Sequence, residues 1–154
     1  MLINQSTLAA PSFAPAAPID IVIPAIVSTE GLAVADLNGD GLPEIVTAQF
    51  QTTSNLYVIE NKSSPGSIAT GSITTLTVGT PVKNIRIGDL DGDSKADIAF
   101  TQLISSNIGI FLNQSSGSLS FAALKTFETD ITPWGIDFGD LDGDGKPDIA
   151  VASL

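Results

Sequence analysis

Along much of this chain apolar residues fall on every second position, and short clusters of Gly, Asp, Asn and Ser break the pattern. Gly31–Leu37, Asn84–Leu90 and Gly135–Leu141 alternate apolar residues with small or polar ones, the period of a β-strand. An acidic, glycine-bearing segment follows each, and then an apolar run: Ile45–Phe50, Ile98–Leu103 and Ile149–Leu154. A Ser/Asn/Thr turn leads to Leu56–Glu60 and Ile108–Asn113, and a Gly/Ser turn to looser strands near Ile73–Val78 and Ala122–Phe127. No window carries the 3.6-residue period of an amphipathic helix. The pattern predicts an all-β fold of four short strands, A to D, per unit.

The units repeat. Asp36-Leu-Asn-Gly-Asp-Gly-Leu-Pro-Glu44-Ile returns as Asp89-Leu-Asp-Gly-Asp-Ser-Lys-Ala-Asp97-Ile and again as Asp140-Leu-Asp-Gly-Asp-Gly-Lys-Pro-Asp148-Ile, a period of about 52 residues. Asn4, Asn61 and Asn113 form a second anchor in the same register, and the first copy carries extra residues in a stretch holding Pro11, Pro15 and Pro18. The chain is therefore read as one module, 1–154, with repeats at approximately 1–50, 51–103 and 104–154. It starts in a third strand, Leu2–Gln5, and stops at the end of a second, so the order is CD–ABCD–ABCD–AB.

The acidic segments carry the chemistry. Carboxylates or amides at loop positions 1, 3, 5 and 9, with glycine near position 6, describe an all-oxygen site for a hard cation. The first copy offers Asp36, Asn38, Asp40 and Glu44 with the Leu42 carbonyl; the second offers Asp89, Asp91, Asp93 and Asp97 with the Lys95 carbonyl. The third offers Asp140, Asp142, Asp144 and Asp148 with the Lys146 carbonyl. Without a cation, carboxylates so close together repel one another strongly. An EF-hand needs a glutamate at position 12 and flanking helices, whereas position 12 here is Thr47, Phe100 or Val151, inside a strand.

Charge sharpens this reading. Of 17 acidic side chains against 6 basic ones, for a net charge of −11, eleven of the acids sit in the three loops. Three divalent ions would neutralise much of that excess. The acidity (pI ≈ 4.1) argues against nucleic acid and anionic membrane surfaces as partners. Cysteine and histidine are both absent, which removes disulfide scaffolds, Cys/His zinc sites and every nucleophile system that needs a histidine base. Ile19–Val27, the longest apolar stretch near the start, is interrupted by Asp20 and Pro24 and falls short of the ~20 residues of a membrane helix.

The Asp-x-Asp-x-Asp-Gly-x-x-Asp-Ile pattern on this period, preceded by a strand such as Ile136-Asp-Phe-Gly-Asp-Leu, resembles the FG-GAP/VCBS repeats. These are the calcium-bearing blades of integrin alpha-chain propellers and of many bacterial surface proteins. The resemblance implies a β-propeller whose blades carry Ca²⁺, up to three ions here, between their first two strands, and an extracellular or cell-surface location. Ser94 departs from the pattern where glycine is usual, and Asn38 lowers the charge of the first loop.

Propellers typically need 4–8 blades, and half-blades leave bare edges. The expected partner is another copy, through half-blade complementation into a six-bladed ring or, if the rotation does not close, a filament; the alternative is that these residues are an excerpt of a longer propeller, and a carbohydrate or protein ligand is a further expected partner class. Asn4-Gln-Ser, Asn61-Lys-Ser and Asn113-Gln-Ser are glycosylation sequons that also read as polar turns after a strand. Trp134 aligns with Lys83 and Glu30 rather than with a repeated core position. Glu128 and Asp130 have the spacing of a carboxylate pair, but no convergent acid, base and nucleophile accompany them, so no enzyme is expected. The expected role is structural, adhesive or self-assembling. A lectin-like propeller, with Trp134 or Tyr57 in a pocket between blades, is one alternative. A non-catalytic accessory domain of a secreted hydrolase is another.

Overall fold

The computed structural model describes residues 2–4, 13–15, 21, 23 and 28–154. Asn4's side chain, Pro11, Pro18 and all of the apolar stretch Ile19–Val27 except Ile21 and Ile23 lie outside the described residues. The strands are β1 (Leu2–Asn4), β2 (Phe13–Pro15), β3 (Thr29–Ala35), β4 (Glu44–Gln49), β5 (Asn55–Asn61), β6 (Thr70–Thr77), β7 (Val82–Gly88), β8 (Asp97–Gln102), β9 (Asn107–Phe111), β10 (Lys125–Glu128), β11 (Pro133–Gly139) and β12 (Asp148–Ser153). All pairings are antiparallel: β3-β4-β5-β6 and β7-β8-β9-β10 are four-stranded sheets, while β11-β12 and β1-β2 are two-stranded. The sheets thus group strands A to D, and the repeat limits read from the sequence at 50 and 103 fall between strands B and C.

The short pair β1–β2 belongs to the same series. Asn4 stands opposite Phe13, as Asn61 stands opposite Thr70 and Asn113 opposite Phe121. The pairing reproduces the CD half of a unit, as the sequence order predicts.

Strand limits differ from the sequence reading by a residue or two, for a local reason. The first strand of each unit starts earlier because a register shift, between Glu30 and Leu32 in β3, lets pairing run back to Thr29. Gly31 takes φ +69 there, a conformation that costs glycine little. Each first strand also ends earlier, because Asp36 and Leu37 already belong to the acidic loop.

Period-two alternation gives each sheet two faces: the front of β3–β6 meets the back of β7–β10, and the front of β7–β10 meets the back of β11–β12. Val46, Ala48, Leu56 and Val58 on the front of β4 and β5 pack with Ile85, Ile98, Phe100 and Phe111 on the back of β7, β8 and β9. The arrangement recurs one unit on: Ala99, Ile108 and Ile110 receive Ile136, flanked by Phe138, Ile149 and Val151. All of β8 is buried. The Phe100 ring stacks on Phe111 with centroids 5.7 Å apart and lies so close over Gly109 that a Cβ there would stand 2.3 Å from it.

Lys83 ties the inner strands together across units. It pairs with Glu30 of the preceding sheet, and its Nζ lies 4.8 Å from the Trp134 ring of the following one. Replacing Phe100, which is fully buried, with alanine should cost about 3–5 kcal/mol through lost burial and the cavity left behind. Urea unfolding measures this, and a loss below about 1 kcal/mol would contradict the packing of the two sheets around that ring.

Candidate metal centre

Each acidic loop joins the innermost strand of a sheet to its neighbour, and its own backbone N–H groups hold it in shape. In the third loop, Gly143 and Gly145 donate to the two oxygens of Asp140 at 2.7 and 2.9 Å. Asp144 N–H donates to Asp142 Oδ1 at 3.0 Å and Lys146 N–H to Asp144 Oδ1 at 2.8 Å. The second loop repeats this set: Gly92 and Ser94 donate to Asp89, Asp93 to Asp91, and Lys95 to Asp93. In the first, Gly39 and Gly41 donate to Asp36, Asp40 to Asn38, and Leu42 to Asp40. Side chains at positions 1, 3 and 5 are therefore braced from behind, each with lone pairs left over.

Position 6 needs the left-handed conformation. Gly41 and Gly145 take φ 85, and Ser94 takes φ 67 in the same place. A residue with a Cβ pays roughly 1 kcal/mol for that, so the serine read from the sequence as a departure strains its loop without reshaping it.

The ninth-position acid opens the second strand and faces inward. Glu44 and Asp97 are buried. Asp97 accepts from Leu90 N–H at 2.9 Å and from Asn113 N–H, just beyond β9, at 2.7 Å. Glu44 accepts from Leu37 N–H at 2.8 Å and from Asn61 N–H at 3.4 Å. Asp148, less buried, accepts from Leu141 N–H at 2.9 Å.

These constraints bring carboxylates together. One oxygen each from Asp89, Asp91 and Asp97, and likewise from Asp140, Asp142 and Asp148, lie within 4.8 Å of one another. Ligands sharing one Ca²⁺ at 2.3–2.6 Å are at most ~5 Å apart, so both triplets fit a single hard cation, and an all-oxygen donor set suits calcium rather than zinc. Asp93 and Asp144 stand beside these triplets, each 3.4 Å from its loop's own lysine.

The first loop differs at one atom. In all three loops, one oxygen of the position-3 side chain accepts the position-5 N–H. In the second and third the remaining atom is a carboxylate oxygen, but in the first it is the amide nitrogen of Asn38, which donates to Asp40 Oδ2 and Glu44 Oε1, both at 3.3 Å.

Two of the sequon asparagines, Asn61 and Asn113, are clamps. Asn113 is buried, and its Nδ2 donates at 2.9 Å both to Ala96 O of its own loop and to Leu37 O of the preceding sheet's loop. Asn61 Nδ2 donates to Pro43 O at 2.9 Å. Nδ2 is the atom a glycan would need, so the geometry favours the turn reading of the Asn61 and Asn113 triplets. Their fixed distance from each loop was the available signal, and the sequon pattern masked it. Of the two aromatic residues weighed for a sugar pocket, Tyr57 is buried with its hydroxyl on Gln49, 3.2 Å away. Trp134 is covered on one face by Lys83. Glu128 and Asp130 sit at the exposed outer edge.

Comparison with known families places these loops in context. The model of the FG-GAP-like repeat matches residues 36–100 and 89–151, about three quarters of the chain. The matches begin at Asp36 and Asp89, the first residue of two successive loops. No curated protein matches the chain. Among the described residues no helix is long and apolar enough to cross a membrane.

Electrostatics adds a pH signature to the metal-free state. Burial pushes the Asp97 carboxyl above its ordinary value; the N–H groups of Asn113 and Leu90 oppose this, and Asp91 and Asp93 reinforce it. A carboxyl raised in the folded state contributes stability that is present below its ordinary value and lost as pH rises through the raised one. In chelator, the melting temperature should therefore rise as the pH falls from neutral toward the ordinary carboxylate range. In saturating calcium it should fall, because protons compete with the ion. A chelated protein that loses stability throughout this range would contradict the assignment.

Proposed function

The chain belongs to the FG-GAP-like repeat family, and on that footing we propose that it is a calcium-clamped propeller-blade module working outside the cell, with a structural, adhesive or self-assembling role and no catalysis of its own. The observation that carries this reading is the convergence of three carboxylates in each of two loops. Converged charges of one sign are costly without a counter-ion. A divalent cation there turns the repulsion into a brace between the first two strands of a blade. Extracellular calcium, at millimolar levels, suits loops of this ligand type.

The non-catalytic reading follows from the same bonds. The loop carboxylates already accept backbone N–H groups that fix their orientation, and their convergence serves cation binding rather than proton transfer. With neither histidine nor cysteine in the chain, no activated nucleophile accompanies them.

The three loops are not equivalent. Asn38 Nδ2 lies between Asp40 and Glu44 and donates to both, so the first loop carries a neutral internal substitute for the ion. Turning the amide to present its oxygen would break the Asp40 N–H bond to Asn38 Oδ1. The module therefore takes two calcium ions tightly, at the Asp89 and Asp140 loops, and the first loop holds its shape without one.

Calorimetric titration of the metal-stripped chain with calcium tests this. The expected stoichiometry is two tight sites, rising to three in Asn38→Asp. Three equivalent sites in the wild type would overturn the inequality, and no heat above dilution would overturn the calcium reading.

A further inference from the structure

The joints between sheets follow one rule, and two surfaces of the chain obey it without a partner. At the first joint, Ile85 on the back of β7 sits on Gly31 of β3, its Cγ1 and Cδ1 3.0 and 3.1 Å from where a Cβ would stand. At the second, Phe138 on the back of β11 sits on Gly88 of β7, with Cδ2 at 3.1 Å. Large apolar side chains on the back of one inner strand seat on glycines of the preceding inner strand.

Strand register identifies the equivalent positions. Leu32 pairs with Thr47, Ile85 with Phe100 and Ile136 with Val151, so these three are counterparts. By the same registers Val34 is the counterpart of Ile87 and Phe138, and Gly139 of Gly88. Gly135 precedes Ile136 as Gly31 precedes Leu32.

The knobs of the first sheet are uncovered. Leu32 is 67% exposed and Val34 57%, whereas Ile85 and Ile136 are 1% and 3% exposed. The exposure is local: Tyr57 and Ile59, farther out on the same back face, are buried. The seats of the last sheet are vacant. A Cβ on Gly135 would meet only Ala152 Cβ, at 3.5 Å, and one on Gly139 only Leu141 Cδ2, at 3.9 Å. Gly135 opens into a hollow of about 330 Å³ shared with Ile136, Asp137, Ala150, Val151 and Ala152. Ala150 and Ala152 on this front face are exposed, although the matching residues of β8, Ala99 and Thr101, are fully buried.

We propose that copies of this chain join head to tail, with Leu32 and Val34 of one copy seated on Gly135 and Gly139 of the next. The occupant is a second copy because the joint continues an interface that the chain builds twice within itself, seating Ile85 on Gly31 at one joint and Phe138 on Gly88 at the other, and the last sheet carries glycine at both of these seat positions. The two surfaces differ, so the contact is heterologous. It closes into a ring if the rotation per copy permits, and otherwise runs on as a filament. The proposal rests on the propeller-blade reading above but does not require a bound ion in any particular loop.

Light scattering on the full chain in calcium tests it, with melting in calcium and in chelator measured alongside. The expected wild-type mass is twice the 15.8 kDa of one chain or a larger multiple. Leu32→Asp disables the knobs and Gly135→Val fills a seat. Leu32 is exposed and a Cβ on Gly135 meets no close contact, so both variants should keep the wild-type melting curve at the monomer level and run at 15.8 kDa. Mixed in equal amounts they retain one good surface each, and the mixture should return dimers. A wild-type monomer whose melting still responds to calcium overturns the joint and leaves the proposed function standing. A monomer with no calcium response overturns both. An assembly whose mass neither variant changes, or a mixture that stays monomeric, overturns the joint alone.

Discussion

One buried carboxylate in each four-stranded sheet holds that sheet to its acidic loop. Glu44 and Asp97 sit at the first residue of a second strand and reach both back into the acidic loop and sideways to the third strand or just beyond it. Hydrogen bonds to charged groups contribute about 1.5–3 kcal/mol each, and leaving such a group buried without them costs more. That single side chain therefore sets the loop's conformation and the register of strands B and C together. Asn61 and Asn113 complete the knot, donating Nδ2 to the loop carbonyls of Pro43 and Ala96. At Asn113 the knot extends to Leu37 O of the neighbouring sheet. The acidic loop is therefore part of the joint between sheets rather than an ornament on a hairpin.

Electrostatics and packing divide the work along each strand. At the loop end, negative charge is concentrated and held in place by N–H groups. At the other end of the inner strands, the contacts across units pass through Lys83, which faces Glu30 on one side and Trp134 on the other. Between the two ends lies the apolar seam where Ile85 and Phe138 meet glycines. A cation–π contact contributes about 0.5–1 kcal/mol where partly exposed, and a half-exposed ion pair contributes less than a buried one. The seam therefore supplies most of the cohesion between sheets, and the Lys83 contacts set their alignment.

Much of this was legible in the sequence because the repeat shows each feature more than once. Strand order, loop positions, the all-β class and the CD–AB phase follow from period-two alternation and the thrice-repeated acidic loop, and the antiparallel pairings agree. Limits of the inner strands were less legible, since the register shift at Gly31 adds pairing that no hydrophobic period marks. The Lys83 contacts could not be read, because Glu30, Lys83 and Trp134 are unlike residues at one repeat position and leave no periodic trace. The role of Asn38 depends on which atom of a side chain faces inward, a matter of hydrogen-bond geometry. The knobs and seats needed coordinates as well: Leu32 looks in the sequence like any inward-facing strand residue, and only its exposure separates it from Ile85.

The central claim is that the acidic loops are built to be completed by calcium. Thermal unfolding of the same sample in saturating calcium and in excess chelator addresses it most directly. The midpoint should rise by several degrees in calcium, since a ligand that binds only the folded chain stabilises it in proportion to the logarithm of its excess over Kd. Magnesium, which demands tighter octahedral geometry and gives up its water reluctantly, should reproduce little of that rise. A midpoint that is the same in calcium and in chelator would contradict the claim.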